Sequence, residues 1–353
     1  MSCATDSDKK QENQRRGYYI VSSFYDSALI IGAPLIALAL GFFVAQGEFF
    51  QRNVQFGYQE GTVSGVAIGV VIHAHLFAVL FRTHGNKRVF LQFRARFVLV
   101  PLLLYVLIIS STWAIVVASV VATFWDVYHS GAQTFGFGRI YDAKRGNSPL
   151  STRRLDFVLN QVLYAGPIVA GAVMLDHFEA FEEFSDVDAV FLTTIPAKML
   201  DYSSVITQVV VSLGGAFLVA YLYLAFQAGR AGYRHSPQKI ILYLSTGACS
   251  IYAWGFNSWG EAFFIMNFFH AVQYFAIVWA IEKKSIRELF FLGNVPGGSA
   301  LALAALLVST GLYGAFVESF EVSITQLWAI TLVVSLMHFW YDGFVWSVRK
   351  NAV

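Results

Sequence analysis

The sequence predicts an all-α integral membrane protein, a polytopic bundle of about ten transmembrane helices with both termini cytoplasmic. Three observations carry that expectation. Of 353 residues, 57% are apolar and only 13% are charged, with a mean hydropathy of +0.58; a soluble chain of this length needs more charge to clothe its surface. The apolar residues gather into runs near the length of about 20 that a spanning helix requires. The basic residues are segregated as well. With ten crossings and an inside start, every Lys and Arg except Arg52 and Lys198 falls on the cytoplasmic side, as the positive-inside rule demands.

Residues 1–25 read as a polar cytoplasmic segment of mixed charge, without the apolar core and small-residue cleavage site of a secretory signal. Residues 26–350 read as one transmembrane domain. Its apolar runs are 27–46, 61–81, 97–117, 118–138, 157–175, 204–226, 240–257, 261–281, 298–317 and 326–347. The third and fourth are continuous in composition. Basic clusters flank them on both sides (Arg82, Lys87, Arg88, Arg94 and Arg96 before; Arg139, Lys144, Arg145, Arg153 and Arg154 after), so an even number of crossings must lie between. A turn is expected between Ser110 and Ser119. Pro167 is a candidate kink in the fifth run. The second outer loop is acidic, with Asp176, Glu179, Glu182, Glu183, Asp186 and Asp188. Residues 283–297 are expected as a short interfacial segment. Cys3 and Cys249 are the only cysteines, too few for a disulfide framework or a thiolate metal site. No nucleic-acid partner is expected.

Function is read from the polar residues inside the apolar runs. In Trp125-Asp126-Val127-Tyr128-His129-Ser130-Gly131-Ala132-Gln133, aspartate, histidine and glutamine stand three and four residues apart and share one helical face. An ionisable group at membrane depth costs on the order of 3 kcal/mol, so it is a functional-site hypothesis by default. The second, fourth, eighth and tenth runs all descend towards the cytoplasm, and each carries histidine before its inner end: His73 and His75, His129, His270, His338. Counted from the following basic residues, these side chains lie about 10–20 Å below the inner surface, in one slab of the cytoplasmic half of the bilayer. Asp126 precedes His129 by three residues and Asp342 follows His338 by four. Carboxylate and imidazole one turn apart on facing helices is how bundles build iron sites; alternatively the carboxylates orient the imidazoles.

His73 and His75 are two residues apart, roughly 200° around a helix, so one of them faces the centre; His75 is favoured because Arg82 shares its face. His84, on the face of His73, is expected in solvent or on phosphate, and His177 and His235 in aqueous loops. Gln133 and Gln273 fit helix–helix bonding as well as ligation. Gly131, Gly136 and Gly138 are read as small-residue packing, and Tyr128, Tyr274 and Tyr341 as core aromatics near the histidines.

Imidazole and carboxylate without thiolate suit iron, mono- or dinuclear, and also zinc, manganese or copper. A metal centre in the inner half of a bilayer can take a lipid or other hydrophobic substrate sideways. The expected function is therefore a non-haem iron oxidoreductase of the oxygenase, hydroxylase or desaturase type, with His73 or His75, His129, His270 and His338 as ligands. Asp126 and Asp342 would be ligands, orienting groups or general bases. The chain has no dinucleotide fingerprint, so electrons are expected from a separate donor protein or a quinol. A polyhistidine site in a bundle resembles in kind those of membrane fatty-acid desaturases and hydroxylases and of carotenoid-cleaving membrane oxygenases, which hold iron with four histidines. The HxxxH and HxxHH boxes of desaturases are absent; His-Ala-His stands once and single histidines elsewhere. Two other classes use the same residues. In a haem-binding electron carrier, His129, His270 or His338 would be axial ligands; in a proton-coupled transporter, His and Asp would form a relay. If the source is bacterial, the protein belongs to the inner membrane.

Overall fold

Four of the long helices start on side-chain caps. The computed structural model describes residues 17–148, 150–171, 184–320 and 324–346. Cys3, the polar start as far as Arg16, Asp176, His177, Glu179, Glu182, Glu183 and Arg349 lie outside the described residues. A helical stretch Ser23–Ile31 bends by 50° into α1 (Ala33–Gln46). A two-stranded hairpin follows, β1 (Asn53–Phe56) and β2 (Gln59–Thr62), in antiparallel register with Asn53 opposite Thr62. Composition alone did not announce it. Its two-residue turn needs a positive φ at the first position, supplied by Gly57 at +63°, the arrangement that matches strand twist.

Thr62 then accepts from the Gly65 amide and caps α2 (Val63–Thr83). Asn86 caps α3 (Lys87–Ile109). α4 (Thr112–Lys144) and α5 (Arg153–Ala170) come next. α6 (Val190–Asp201) precedes α7 (Ser203–Arg230). Ser236 with Pro237 at the first turn starts α8 (Pro237–Phe256), and a Ser258–Glu261 capping box starts α9 (Trp259–Leu289). α10 (Gly298–Ser319) and α11 (Thr325–Val345) are the last helices among the described residues.

A helix occupies each of the ten apolar runs. Among the described residues, seven are long and apolar enough to cross a membrane, or eight with the bent Ser23–Gln46 pair as one span. The architecture is an all-α membrane bundle. α5 and α8, in the fifth and seventh runs, fall short of that apolar measure for a physical reason. Their polar residues, including Asp156, Asn160, Lys239, Ser245 and Ser250, are buried between helices.

The turn after α3 falls at the start of the expected Ser110–Ser119 window, whereas the start of α3, the end of α4 and the 283–297 segment differ from the sequence expectation. The turn after α3 is Ser110–Ser111, where Ser111 adopts φ −161° and Ser110 Oγ donates to the Leu107 carbonyl. α3 therefore begins at Lys87 rather than 97, and α4 runs unbroken for 33 residues, so Arg139 lies inside a helix rather than in a loop. The expected interfacial segment 283–297 instead begins as the last turns of α9, with a loop only after Leu289. α9 sits at the heart of the bundle, packed against α1, α2, α8 and α10. α7 has no buried residue.

Candidate metal centre

Four helices each send one histidine to a common point. His75 comes from α2, His129 from α4, His270 from α9 and His338 from α11, and all four are buried. Neighbouring ring centroids are 5.1 Å apart for His75 with His270 and with His338, 5.3 Å for His129 with His270 and 4.9 Å for His129 with His338. The rings meet edge to face. Ligand atoms of His75, His270 and His338 lie within 4.8 Å of one another, as do those of His129, His338 and Asp342.

Hydrogen bonding decides what these nitrogens can do. His338 Nδ1 lies 3.0 Å from the Leu76 carbonyl oxygen and donates to it. That fixes the tautomer and leaves the Nε2 lone pair directed at the other histidines. Neither nitrogen of His75, nor Nε2 of His270, has a hydrogen-bond partner among the described residues. Leaving a buried polar group unsatisfied costs about 1–3 kcal/mol each, and such orphans gathered at one point call for an explanation.

Asp342 supplies the carboxylate. Its Oδ1 accepts from Tyr274 Oη at 2.9 Å and from Trp346 Nε1 at 2.8 Å. Its Oδ2 turns towards the imidazoles, 3.8 Å from His129 Nε2 and 3.7 Å from His338 Nε2, which are themselves 3.2 Å apart. The point equidistant from those three atoms lies about 2.1 Å from each, the bond length of nitrogen and oxygen ligands to a first-row ion, about 2.0–2.2 Å. The donor set and its spacing fit a metal.

No known protein family, curated protein or solved structure matches this chain. The centre is therefore read from its own chemistry.

The remaining candidates fall elsewhere. His73 faces away from the cluster, its Nδ1 lying 3.0 Å from the Gly69 carbonyl and 2.9 Å from Glu318 Oε1 on α10. Helical periodicity forces this division, since α2 is undistorted there and only one of two residues spaced by two can face α9 and α11. Asp126 belongs to neither ligand group; the side chains interacting with it are Ser130 and Tyr164. Gln133 donates to the His270 carbonyl, and Gln273 to the Ile30 carbonyl, so both join helices. His84 is not committed to solvent: its Nε2 lies 3.3 Å from the Phe97 carbonyl, which Pro101, four residues on, leaves without its helical donor. His235 does sit in the loop before α8 and meets the Tyr233 ring edge to face. Gly131 and Gly138 are packing sites, since a Cβ would strike Gln161 and Tyr243 respectively.

Sequence reasoning missed the groups that hold Asp342. Trp346 lies four residues after it on the same face, which was a usable signal. Tyr274 lies four after His270, but nothing in the sequence says that its hydroxyl reaches α11. Below the centre, Arg82 pairs with Glu282 and also donates to the Val345 carbonyl. Its guanidinium carbon lies 4.9 Å from the Trp346 ring centroid. The Arg82 pair thus clamps the wall that carries Trp346.

A cavity of about 290 Å³ reaches the centre from one side. His129 and Asp342 are the cluster members that line it, with Trp125, Tyr128, Phe135, Phe157, Phe339 and Trp346 among its walls. The other three histidines stand behind.

Proposed function

We propose that the protein is a metal-dependent membrane oxidoreductase, acting on a lipid or similar hydrophobic substrate at a non-haem iron centre. The observation that carries this reading is the convergence of four buried imidazoles at one point beside Asp342, with both nitrogens of His75 and Nε2 of His270 lacking a hydrogen-bond partner among the described residues. Iron with histidine and carboxylate ligands and an open position activates dioxygen for attack on C–H or C=C bonds. In the hydroxylating form, one oxygen atom enters a C–H bond and the other leaves as water. Two electrons and two protons come from a separate donor protein or a quinol. His129, His338 and Asp342 would be ligands on the cavity side, with His75 and His270 completing the shell. His338 has only its Nε2 lone pair to give, because Nδ1 is engaged by Leu76; we therefore read the two ligand groups as one mononuclear centre. Around this core we retain ten spans with cytoplasmic termini, supported by the distribution of Lys and Arg.

The haem alternative has less support. Four imidazoles close around one point at ring spacings near 5 Å, which leaves no slot for a macrocycle between facing rings. The test is metal analysis with an optical spectrum on detergent-purified protein, beside a His129→Ala/His338→Ala double variant. About one iron per chain, lost in the variant and without a Soret band, is the expected result. A Soret band would replace the reading with haem chemistry. A folded protein with neither metal nor haem would sink it in favour of a proton relay.

A further inference from the structure

The cavity that reaches His129 and Asp342 is not uniformly apolar. Arg139 and Arg153 also line it. Arg139 is engaged, donating to Asp142 at 2.6 Å and to Asp156 at 2.9 Å. Arg153, the first residue of α5, has no carboxylate partner among the described residues; its guanidinium carbon lies over the Phe135 ring, 5.7 Å from the centroid. Stacking on an aromatic face leaves the planar fork of donors available to an oxyanion. One end of the cavity therefore presents Arg153 beside Phe135 and Phe157, and the other presents the candidate centre, with Phe339 against His129 and Trp125 against Phe339.

We infer that the substrate of this site is a free long-chain carboxylic acid, its carboxylate held by Arg153 and its chain laid along the aromatic wall to His129 and Asp342. This rests on the metal-centre reading for the reaction, but the binding claim stands on the cavity alone. One guanidinium suits a monoanion, which it can grip bidentately. A cavity of about 290 Å³ has room for a single chain, which argues for a free acid over a two-chain phospholipid. Orientation agrees: Arg153 belongs to the basic cytoplasmic edge, where an amphiphile keeps its head, and the chain would point into the bilayer as it does in the free membrane. Along α4, His129 lies six residues from Phe135 and ten from Arg139, about 9–15 Å. That offset sets the ligands against mid-chain carbons, not against those next to the carboxyl.

The test is equilibrium binding of radiolabelled oleic acid and oleyl alcohol to the full-length protein in phosphatidylcholine nanodiscs, with metal content measured on the same samples. Wild type, Arg153→Gln and Arg153→Lys would be compared. Arg153 is exposed at a helix N-terminus, where a cation opposes the helix dipole, so neither substitution should harm folding; unchanged size-exclusion behaviour checks this. The expected result is one saturable oleate site per chain, weakened at least tenfold by Arg153→Gln and less by Arg153→Lys. The alcohol should bind more weakly and ignore both substitutions. Equal binding of acid and alcohol, an unchanged Arg153→Gln variant, or displacement of oleate by phosphatidylglycerol would overturn the inference. Metal-free protein that still binds oleate through Arg153 would refute the metal reading and leave the acid site standing.

Discussion

Two buried polar clusters share helix α4 and behave in opposite ways. One is the imidazole group around His129. The other, about ten residues on, joins Arg139 and Asp142 to Asp156 of α5 and Lys239 of α8, all buried. In the charged cluster, the Lys239 ammonium uses its three protons on Asp142 at 2.9 Å, Asp156 at 2.7 Å and Tyr233 Oη at 2.9 Å. Thr152 and Tyr221 each donate to Asp156 as well. Two cations balance two carboxylates. A network satisfied in this way rigidifies a core and asks for nothing further. The imidazole cluster has the same burial and several nitrogens with no partner. Burial of polar groups does not by itself separate a site from a strut; what separates them is whether the lone pairs are already spoken for.

The contrast is sharpest in the sign of a substitution. Asp156→Ala would leave Lys239 and Arg139 with one carboxylate between them, and breaking a buried pair costs about 3–5 kcal/mol. The variant should unfold at correspondingly lower denaturant while its folded fraction keeps the wild-type metal content; a loss under about 1 kcal/mol would deny that the cluster is a strut. His75→Leu, in metal-stripped protein, should act in the other direction. Removing bare buried nitrogens relieves about 1–3 kcal/mol, so the stripped variant should be more stable than stripped wild type, although it binds metal poorly. Destabilisation there would mean that His75 has a structural partner after all. His73→Leu serves as the control, leaving metal content unchanged and exposing the loss of the Glu318 pair as a modest destabilisation.

Much of this contrast was legible in the sequence, and the illegible part has a common cause. The apolar runs and the distribution of Lys and Arg imply a membrane bundle. Histidines in four apolar runs, each at a similar distance before the next basic residue, imply that their rings could meet, and they do. That only one of His73 and His75 faces the others follows from helical phase; that it is His75 comes from the packing of α2 against α9 and α11. The role of Arg139 was not legible: it reads as one more positive-inside residue until α5 and α8 bring Asp156 and Lys239 beside it. Asp126 and Asp342 look equivalent by spacing from their histidines. Only the rotation of α4 and α11 about their axes shows that Asp342 Oδ2 faces the cluster while Asp126 has Ser130 and Tyr164 about it. Local periodicity reports which residues share a face; which helix that face meets depends on packing between segments far apart in sequence.

The smallest expected effect probes how Asp342 is held. Trp346→Phe removes one N–H from Asp342 Oδ1 and retains an aromatic ring for Arg82 to stack on. The carboxylate keeps Tyr274, so it stays in place but is free to rotate about its remaining bond. Groups that orient a ligand typically contribute ten- to hundredfold in metal affinity; with one of two donors kept, about a tenfold loss is expected, read by competition with a chelator of known affinity. Unfolding in metal-free protein should barely move, since the lost bond joins partly exposed groups at the cavity wall. An unchanged affinity would show that Asp342 is not a ligand, leaving the four imidazoles alone to hold the ion.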